Sequence, residues 1–212
     1  MNTRISTLLA ATLVAFAPLA NADNVALNAD VSYAGSGFGG YSSTWGTGAL
    51  AQAGTVTDGL FLADGQQWNI DSVFWNGNSI PDTEDSITVE LKGAATVTGL
   101  VMQADNNDLY SVSYEDISGV WHALPGTFSP HGTVSGVGSV GWGLGTDSMS
   151  FVSAITATAF NITASNGDGF YAVSEFQATG TFLPAVPEPT SGLLMLAGLG
   201  ALASLARRRS AR

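Results

Sequence analysis

Residues 86–91 read SITVEL, in which every second side chain from Ile87 onward is apolar and the side chains between them are polar. Successive side chains of a β-strand point to opposite faces, so this alternation predicts a strand with one face in a core. Residues 109–114 and 157–163 alternate in a similar way, and Gly, Asn and Asp residues separate these segments. Several short strands bounded by turn residues predict an all-β fold, an antiparallel sandwich of the jelly-roll kind.

Charge is distributed unevenly along the 212 residues. Between Asp23 and Leu183, Lys92 is the only basic residue against 16 Asp and Glu residues, which gives this segment a net charge of −15 with His neutral. Binding to nucleic acid depends on Lys and Arg that neutralise phosphates, so the composition excludes a nucleic-acid partner. The chain has no Cys, which excludes disulfides, thiolate metal sites and a cysteine nucleophile.

The N-terminal 22 residues have the three parts of a secretory signal peptide. Arg4 supplies the positive charge, residues 5–17 are mostly apolar, and Ala20-Asn21-Ala22 gives small residues before a cleavage site. The apolar part is too short for a permanent membrane anchor, which is the alternative interpretation. The sequence therefore predicts a signal peptide at 1–22, a folded domain at 23–183 and a separate tail at 184–212.

The tail consists of Pro187-Glu188-Pro189, an apolar run at 191–206 and the cluster Arg207-Arg208-Arg209. Sixteen residues of helix span roughly 24 Å, somewhat less than a hydrocarbon core of about 30 Å. The arginines would keep the end of this short transmembrane helix on the cytoplasmic side. The three parts in this order resemble the PEP-CTERM sorting signal of Gram-negative bacteria. The resemblance implies export, transient anchoring in the inner membrane, cleavage by an exosortase, and a final place on the cell surface or in the extracellular matrix.

Four segments of the domain resemble the discoidin, or coagulation factor 5/8 type C, family of galactose-binding-like jelly rolls. They are residues 24–28, the Asp-Gly turn at 56–59, the pair of segments 86–91 and 95–104, and the closing segment 160–180 with its Ser-Glu-Phe sequence. The resemblance implies a structural Ca²⁺ ion with side-chain ligands from Asp58 and Glu175. It further implies backbone carbonyl ligands from Thr55, Leu60 and Ser174. The alternative is that Asp58 only supports a turn and that Glu175 is a solvated strand residue.

Aromatic residues in two glycine-rich segments are candidates for a sugar-binding platform, because sugar rings stack on aromatic faces. They are Phe38, Tyr41 and Trp45 in the first segment and Trp142 in the second; packing at the ends of the sandwich is the alternative. The oxygen-rich sequence at 105–108, Asp-Asn-Asn-Asp, could bind a cation or sugar hydroxyls, or could form a polar turn.

No sequence motif indicates catalysis, since the chain has neither a G-x-S-x-G nor an H-E-x-x-H motif. The sequence predicts an exported, non-enzymatic β-sandwich associated with extracellular polysaccharide. A structural matrix or biofilm protein without a specific ligand is the first alternative, and a glycan-active enzyme is the second.

Overall fold

A computed structural model of the chain describes residues 22–40, 48–77, 85–130 and 143–184. These residues form eight β-strands and one short 3-10 helix, and the described ranges contain no α-helix. The strands are β1 (Asp23–Asn24), β2 (Asp30–Ala34), β3 (Val73–Asn76), β4 (Ser86–Asp105), β5 (Leu109–Glu115), β6 (Trp121–Ala123), β7 (Leu144–Ser165) and β8 (Phe170–Phe182). The 3-10 helix, Ala53–Thr57, lies between β2 and β3.

All pairings between neighbouring strands are antiparallel, and they form two sheets that share their longest strands. In the first sheet the order is β2, the start of β4, the end of β7, β5 and β6. In the second sheet the start of β7 pairs with the end of β4, which pairs with β8. Strands β1 and β3 lie along the other edge of β8. The predicted antiparallel sandwich is therefore confirmed.

Strand β4 crosses from one sheet to the other. Its pairing with β7 shifts register between Glu90 and Ala95 and again between Val97 and Gly99, as expected where a strand bends through bulges. The sequence predicts two separate segments here, 86–91 and 95–104, whereas the structure has one continuous strand. Lys92 and Gly93 resemble a turn in the sequence, but they lie at the bend of β4, where both side-chain positions are exposed.

The core lies between the two sheets. The first sheet contributes Ile87, Val89 and Phe160, and the second contributes Leu100 and Phe176. The rings of Phe160 and Phe176 meet with centroids 5.3 Å apart. Ile87 and Val89 are fully buried, so the inward face predicted from SITVEL is confirmed.

The folded unit ends at Phe182, and a second unit begins at Leu183. No helix within the four described ranges is long and apolar enough to cross a membrane. The predicted apolar helix at 191–206 and nearly all of the predicted signal peptide lie outside the described residues, so both stay predictions.

Candidate functional site

Asp58 and Glu175, predicted to bind calcium, lie close together. Asp58 follows the 3-10 helix, and Gly59 adopts a φ of 84° that favours glycine, so the Asp-Gly turn forms as expected. The backbone N–H of Gly59 donates to Glu175 Oε2 at 3.3 Å. Within the turn, the N–H of Leu60 donates to Asp58 Oδ1 at 2.8 Å. The turn therefore places the Asp58 carboxylate beside Glu175.

A β-bulge in β8 positions Glu175. Gln103 of β4 pairs with Glu175, but the next residue, Ala104, pairs with Val173, which leaves Ser174 as an extra residue in β8. Such a bulge re-aims the side chains beside it. The Ser174 hydroxyl donates to Gln103 Oε1 at 2.8 Å, so it stabilises the contact between β8 and β4.

Glu175 is fully buried, which is unusual for a carboxylate. Gln177 Nε2 donates to its Oε1 at 3.1 Å. Burial and, to a smaller extent, the negative charge of Asp58 raise the pKa of Glu175 to about 7, against the opposing effect of the hydrogen bonds from Gln177 and Gly59. Lys92, the only Lys or Arg from Asp23 to Leu183, is exposed on β4 and forms no ion pair with either carboxylate in the described part of the chain.

The remaining predicted calcium ligands are sequence neighbours of this pair: Thr55 and Leu60 flank Asp58, and Ser174 precedes Glu175. Thr55 is half-buried in the 3-10 helix, where its hydroxyl donates to the carbonyl of Gln52 at 2.9 Å. Leu60 is exposed. Across the described ranges, no three His, Asp or Glu side chains come together in an arrangement that could hold a metal ion. A calcium ion at this site would therefore need backbone carbonyls or water in addition to the two carboxylates.

Of the predicted aromatic platform, only Phe38 lies within the described residues; Tyr41, Trp45 and Trp142 lie outside them. Phe38 is half-buried between two other rings. Its centroid lies 4.4 Å from that of Tyr33, with the planes 25° apart, and 5.3 Å from that of Trp75. Trp75 is buried, whereas Tyr33 is 41% exposed. Tyr33 is thus the exposed end of a stack of three rings, a feature that no sequence pattern predicted.

A second exposed aromatic cluster lies on the β5–β6 hairpin. Tyr114 stacks on His122 with centroids 5.1 Å apart, and His122 Nε2 lies 2.7 Å from Asp116 Oδ2. The Ser118 hydroxyl bonds to Asp116 at 2.6 Å and is the main reason why the pKa of Asp116 is well below its usual range. On the same hairpin Trp121 is 44% exposed.

The acidic sequence at 105–108 forms the turn between β4 and β5. Asp105 and Asp108 are each 1% exposed. The turn between β7 and β8, residues 166–169, lies against it: a Cβ added to Gly167 would overlap Asp108 Oδ1. We call these two segments the acidic turns. Sequence reasoning found the first turn but gave no sign that Gly167 and Asp168 lie beside it.

Comparisons with known proteins concern two parts of the chain, the tail and the fold of the body. Residues 185–210 match the family model described as the PEP-CTERM protein-sorting motif. The match contains Pro187-Glu188-Pro189 and Arg207-Arg208-Arg209, and it confirms the predicted resemblance of the tail. No curated protein matches the chain.

Solved structures that resemble the chain include three modules. The family 32 carbohydrate-binding module of NanJ from C. perfringens, solved with galactose, has 17% identity and a TM-score of 0.50, with 76% of this chain and 99% of the module covered. Chitosan-binding module 1 from a Paenibacillus sp. IK-5 chitosanase/glucanase has 20% identity, coverage of 74% and 98%, and a TM-score of 0.48. The C. perfringens module CpGH89CBM32-5, solved with GalNAc-β-1,3-galactose, has 16% identity, coverage of 77% and 100%, and a TM-score of 0.48.

At these identities the likeness concerns the fold alone. The NanJ module is covered almost completely, so the predicted discoidin-like, galactose-binding-like architecture is confirmed for the body. The chain thus combines the jelly roll of a family 32 module with a PEP-CTERM sorting motif at its C-terminal end.

Proposed function

We propose that this protein is exported, is processed by an exosortase, and binds extracellular polysaccharide through its body without catalysing a reaction. The main support is the combination of a sorting motif with a body whose fold matches a module solved with galactose. A sorting motif directs the chain out of the cytoplasm. The polysaccharides of the cell surface and the matrix occur outside the cell, where the exported chain would meet them. The net charge of −15 between Asp23 and Leu183 favours neutral glycans over anionic ones.

The tail determines the route in this proposal. The apolar run at 191–206 would hold the chain in the inner membrane of a Gram-negative bacterium until an exosortase cuts near Pro187-Glu188-Pro189. Fractionation of cells with and without the exosortase tests this route. We expect the protein at the surface or in the medium of the first strain and in the inner membrane of the second. Equal amounts in the cytosol of both strains would contradict the proposal.

The exposed ring of Tyr33 is the described part of the proposed sugar platform. Phe38 stacks on one face of this ring and holds the Tyr33 side chain in place. A sugar that stacks on the other face would therefore bind at little cost in side-chain entropy. Asp85 lies near this end of the sheet, where its Oδ1 accepts a hydrogen bond from the N–H of Gly37 at 3.0 Å, and carboxylates also accept hydrogen bonds from sugar hydroxyls. Tyr41 and Trp45, which follow closely in the sequence, belong to the same proposed platform, and Trp142 to a second.

A glycan array probed with the full-length protein, purified in detergent with calcium present, tests sugar binding. We expect Tyr33→Ala to weaken binding of the selected glycan about five- to thirtyfold, since stacking on an aromatic ring contributes on the order of 1–2 kcal/mol. Trp121→Ala is the matched control, because this ring is exposed to a similar extent on another part of the body. Equal affinities of the Tyr33→Ala variant and the wild type would remove the platform from the proposal.

The proposal includes a structural Ca²⁺ ion at Asp58 and Glu175. The donor set fits this ion: two carboxylates lie side by side, one is buried, and no basic side chain of the described residues compensates them. A buried charge without compensation is costly, and a hard cation with oxygen ligands would remove this cost. Backbone carbonyls of Thr55, Leu60 and Ser174 would complete the proposed ligand set.

Thermal unfolding with and without chelator tests the calcium ion. Since a ligand that binds only the native state stabilises it, calcium at 100 times its Kd should add about 2.7 kcal/mol of stability. The Glu175→Gln and Asp58→Asn variants should lose most of this gain, whereas Glu90→Gln, which changes an exposed carboxylate of β4, should keep it. A full gain in both ligand variants would exclude the site.

A structural matrix protein without a specific ligand is the second candidate function. The exposed apolar residues of the β5–β6 hairpin, Ile117, Val120 and Trp121, favour it because they could pack against neighbouring matrix components. An array without any bound glycan in the presence of calcium would support this alternative. Hydrolysis of matrix polysaccharide that is lost on substitution of a carboxylate would instead support a glycan-active enzyme.

A further inference from the structure

The acidic turns contain two buried carboxylates without a compensating positive charge. Asp105 ends β4, Asp108 precedes β5, and each is 1% exposed. Neither forms an ion pair with Lys, Arg or His in the described part of the chain. Two buried negative charges this close repel each other strongly unless each is neutralised by a proton or a cation.

The side chain of Asn107 lies between the two carboxylates. One terminal atom of its amide is 3.2 Å from Asp105 Oδ1 and 3.2 Å from Asp108 Oδ2. An amide can present either terminal atom after a rotation of 180°. With the nitrogen inward, it donates to both carboxylates. With the oxygen inward, three oxygens converge as they do around a metal ion.

The spacing of these atoms suits a calcium ion. Calcium binds oxygens at about 2.4 Å, and two oxygens 3.2 Å apart then subtend an angle of roughly 84° at the ion. Such an angle is common between neighbouring ligands in the irregular coordination of Ca²⁺. Magnesium bonds are shorter, about 2.1 Å, and require near-octahedral geometry, so a turn with this spacing should prefer calcium.

A separate observation also points to a ligand. Asp108 Oδ1 is buried and has no hydrogen-bond partner among the described residues. It lies where a Cβ of residue 167 would be, so only glycine fits at that position. Buried oxygens rarely stay without a partner, so this one indicates a group that the protein chain does not supply.

We infer that the acidic turns bind a divalent cation, Ca²⁺ in preference to Mg²⁺, through Asp105, Asn107 and Asp108. Asp168 in the facing turn is exposed, and its negative charge acts on both buried carboxylates. Burial and then the charges of neighbouring carboxylates raise the pKa of Asp105 to about 8 and that of Asp108 to about 9, with Asp168 contributing to both. Such carboxylates are ready to exchange a proton for a cation.

This site is separate from the one proposed at Asp58 and Glu175, and the inference does not rest on sugar binding. Bound calcium would fix the β4–β5 turn, against which Gly167 of the β7–β8 turn packs. Its effect on function would be to fix this end of the sandwich in the calcium-rich surroundings outside the cell.

The inference is tested by calorimetric titration with CaCl₂, which measures how many calcium ions bind. The sample is full-length protein that has been purified in detergent and freed of calcium with EDTA. We expect two calcium ions in the wild type, one in Glu175→Gln, one in Asp108→Asn, and none in the double variant. Asp71→Asn is the matched control, because Asp71 is exposed and its φ of 59° suits Asn equally well. MgCl₂ in place of CaCl₂ should bind the acidic turns at least tenfold more weakly.

The outcomes separate the two calcium sites. Loss of all calcium binding in Glu175→Gln overturns the inference and leaves the proposed function intact. Two ions in Asp108→Asn, or one in the double variant, overturn it as well. Asp108→Asn keeps the shape of this side chain and replaces a group that needs a proton or a cation when buried, so its melting temperature in EDTA should equal or exceed that of the wild type. If this variant nevertheless fails to fold, Asn107→Ala replaces it, and an unchanged affinity for the second calcium ion then refutes the inference.

Discussion

Replacing Tyr110 with Phe should lower the free energy of unfolding, because it removes two hydrogen bonds between the sheets and leaves the packing of the ring unchanged. The phenol is fully buried on β5 and reaches across the core to β8. Its hydroxyl donates to the carbonyl of Ala172 at 3.1 Å and accepts from the N–H of Ala172 at 3.2 Å. Burial raises the pKa of Tyr110 well above its usual value, so the hydroxyl keeps its proton and both hydrogen bonds.

The expected cost of Tyr110→Phe is about 2–4 kcal/mol. Loss of the hydroxyl leaves the buried N–H and carbonyl of Ala172 without a partner, and each unpaired group costs about 1–2 kcal/mol, the lower part of the range for buried polar groups. For a domain of this size the melting temperature should fall by about 5–10 °C. Urea unfolding followed by tryptophan fluorescence measures the free energy, and the m-value should not change.

Tyr114→Phe is the matched control for this variant. Tyr114 lies on the same strand, is half-buried, and its hydroxyl has no hydrogen-bond partner among the described residues. Its substitution should change stability by less than about 0.5 kcal/mol. A loss below about 0.5 kcal/mol for Tyr110→Phe would refute the reasoning, because it would mean that the two bonds between the sheets contribute nothing.

Two further substitutions test local features. The pKa of Asp116 is lowered in the folded state, chiefly by Ser118, so this carboxylate stabilises the fold above about pH 4 and less so as the pH falls. Urea unfolding of Asp116→Asn between pH 4 and pH 2 should therefore show a shallower loss of stability than in the wild type, and an equally steep loss would contradict this. Gly180→Ala should cost about 1–3 kcal/mol, since the new methyl group would overlap the carbonyl of Thr96, whereas Gly93→Ala meets no close atom and should be neutral by thermal melting. Equal melting temperatures of the two Ala variants would contradict the packing at Gly180.

Local patterns were sufficient to predict parts of three strands, β4, β5 and β7. The alternation at 86–91 is confirmed residue by residue, because each side chain there faces either the core or the solvent. The bend that follows was not predictable. Lys92 and Gly93 have the composition of a turn, and only the pairing of β4 with β7 and β8 keeps the chain extended through them.

The candidate sites depend on contacts between distant segments. Glu175 is buried because a bulge in β8 and the turn at Asp58 meet there, and no local property of the Ser-Glu-Phe sequence indicates burial. Likewise, Asp105 and Asp168 belong to turns more than sixty residues apart. A short sequence window makes Asp105 look like a solvated carboxylate, since its burial depends on contacts with distant segments.

Strand β8 also separates the two ends of the body. It begins next to Asp168 and ends at Phe182, and at about 3.3 Å per residue its 13 residues cover roughly 40 Å. Asp23 pairs with Gly180, so the chain enters and leaves the body on the same side. The acidic turns and the point where the chain leaves the body therefore lie at opposite ends of β8.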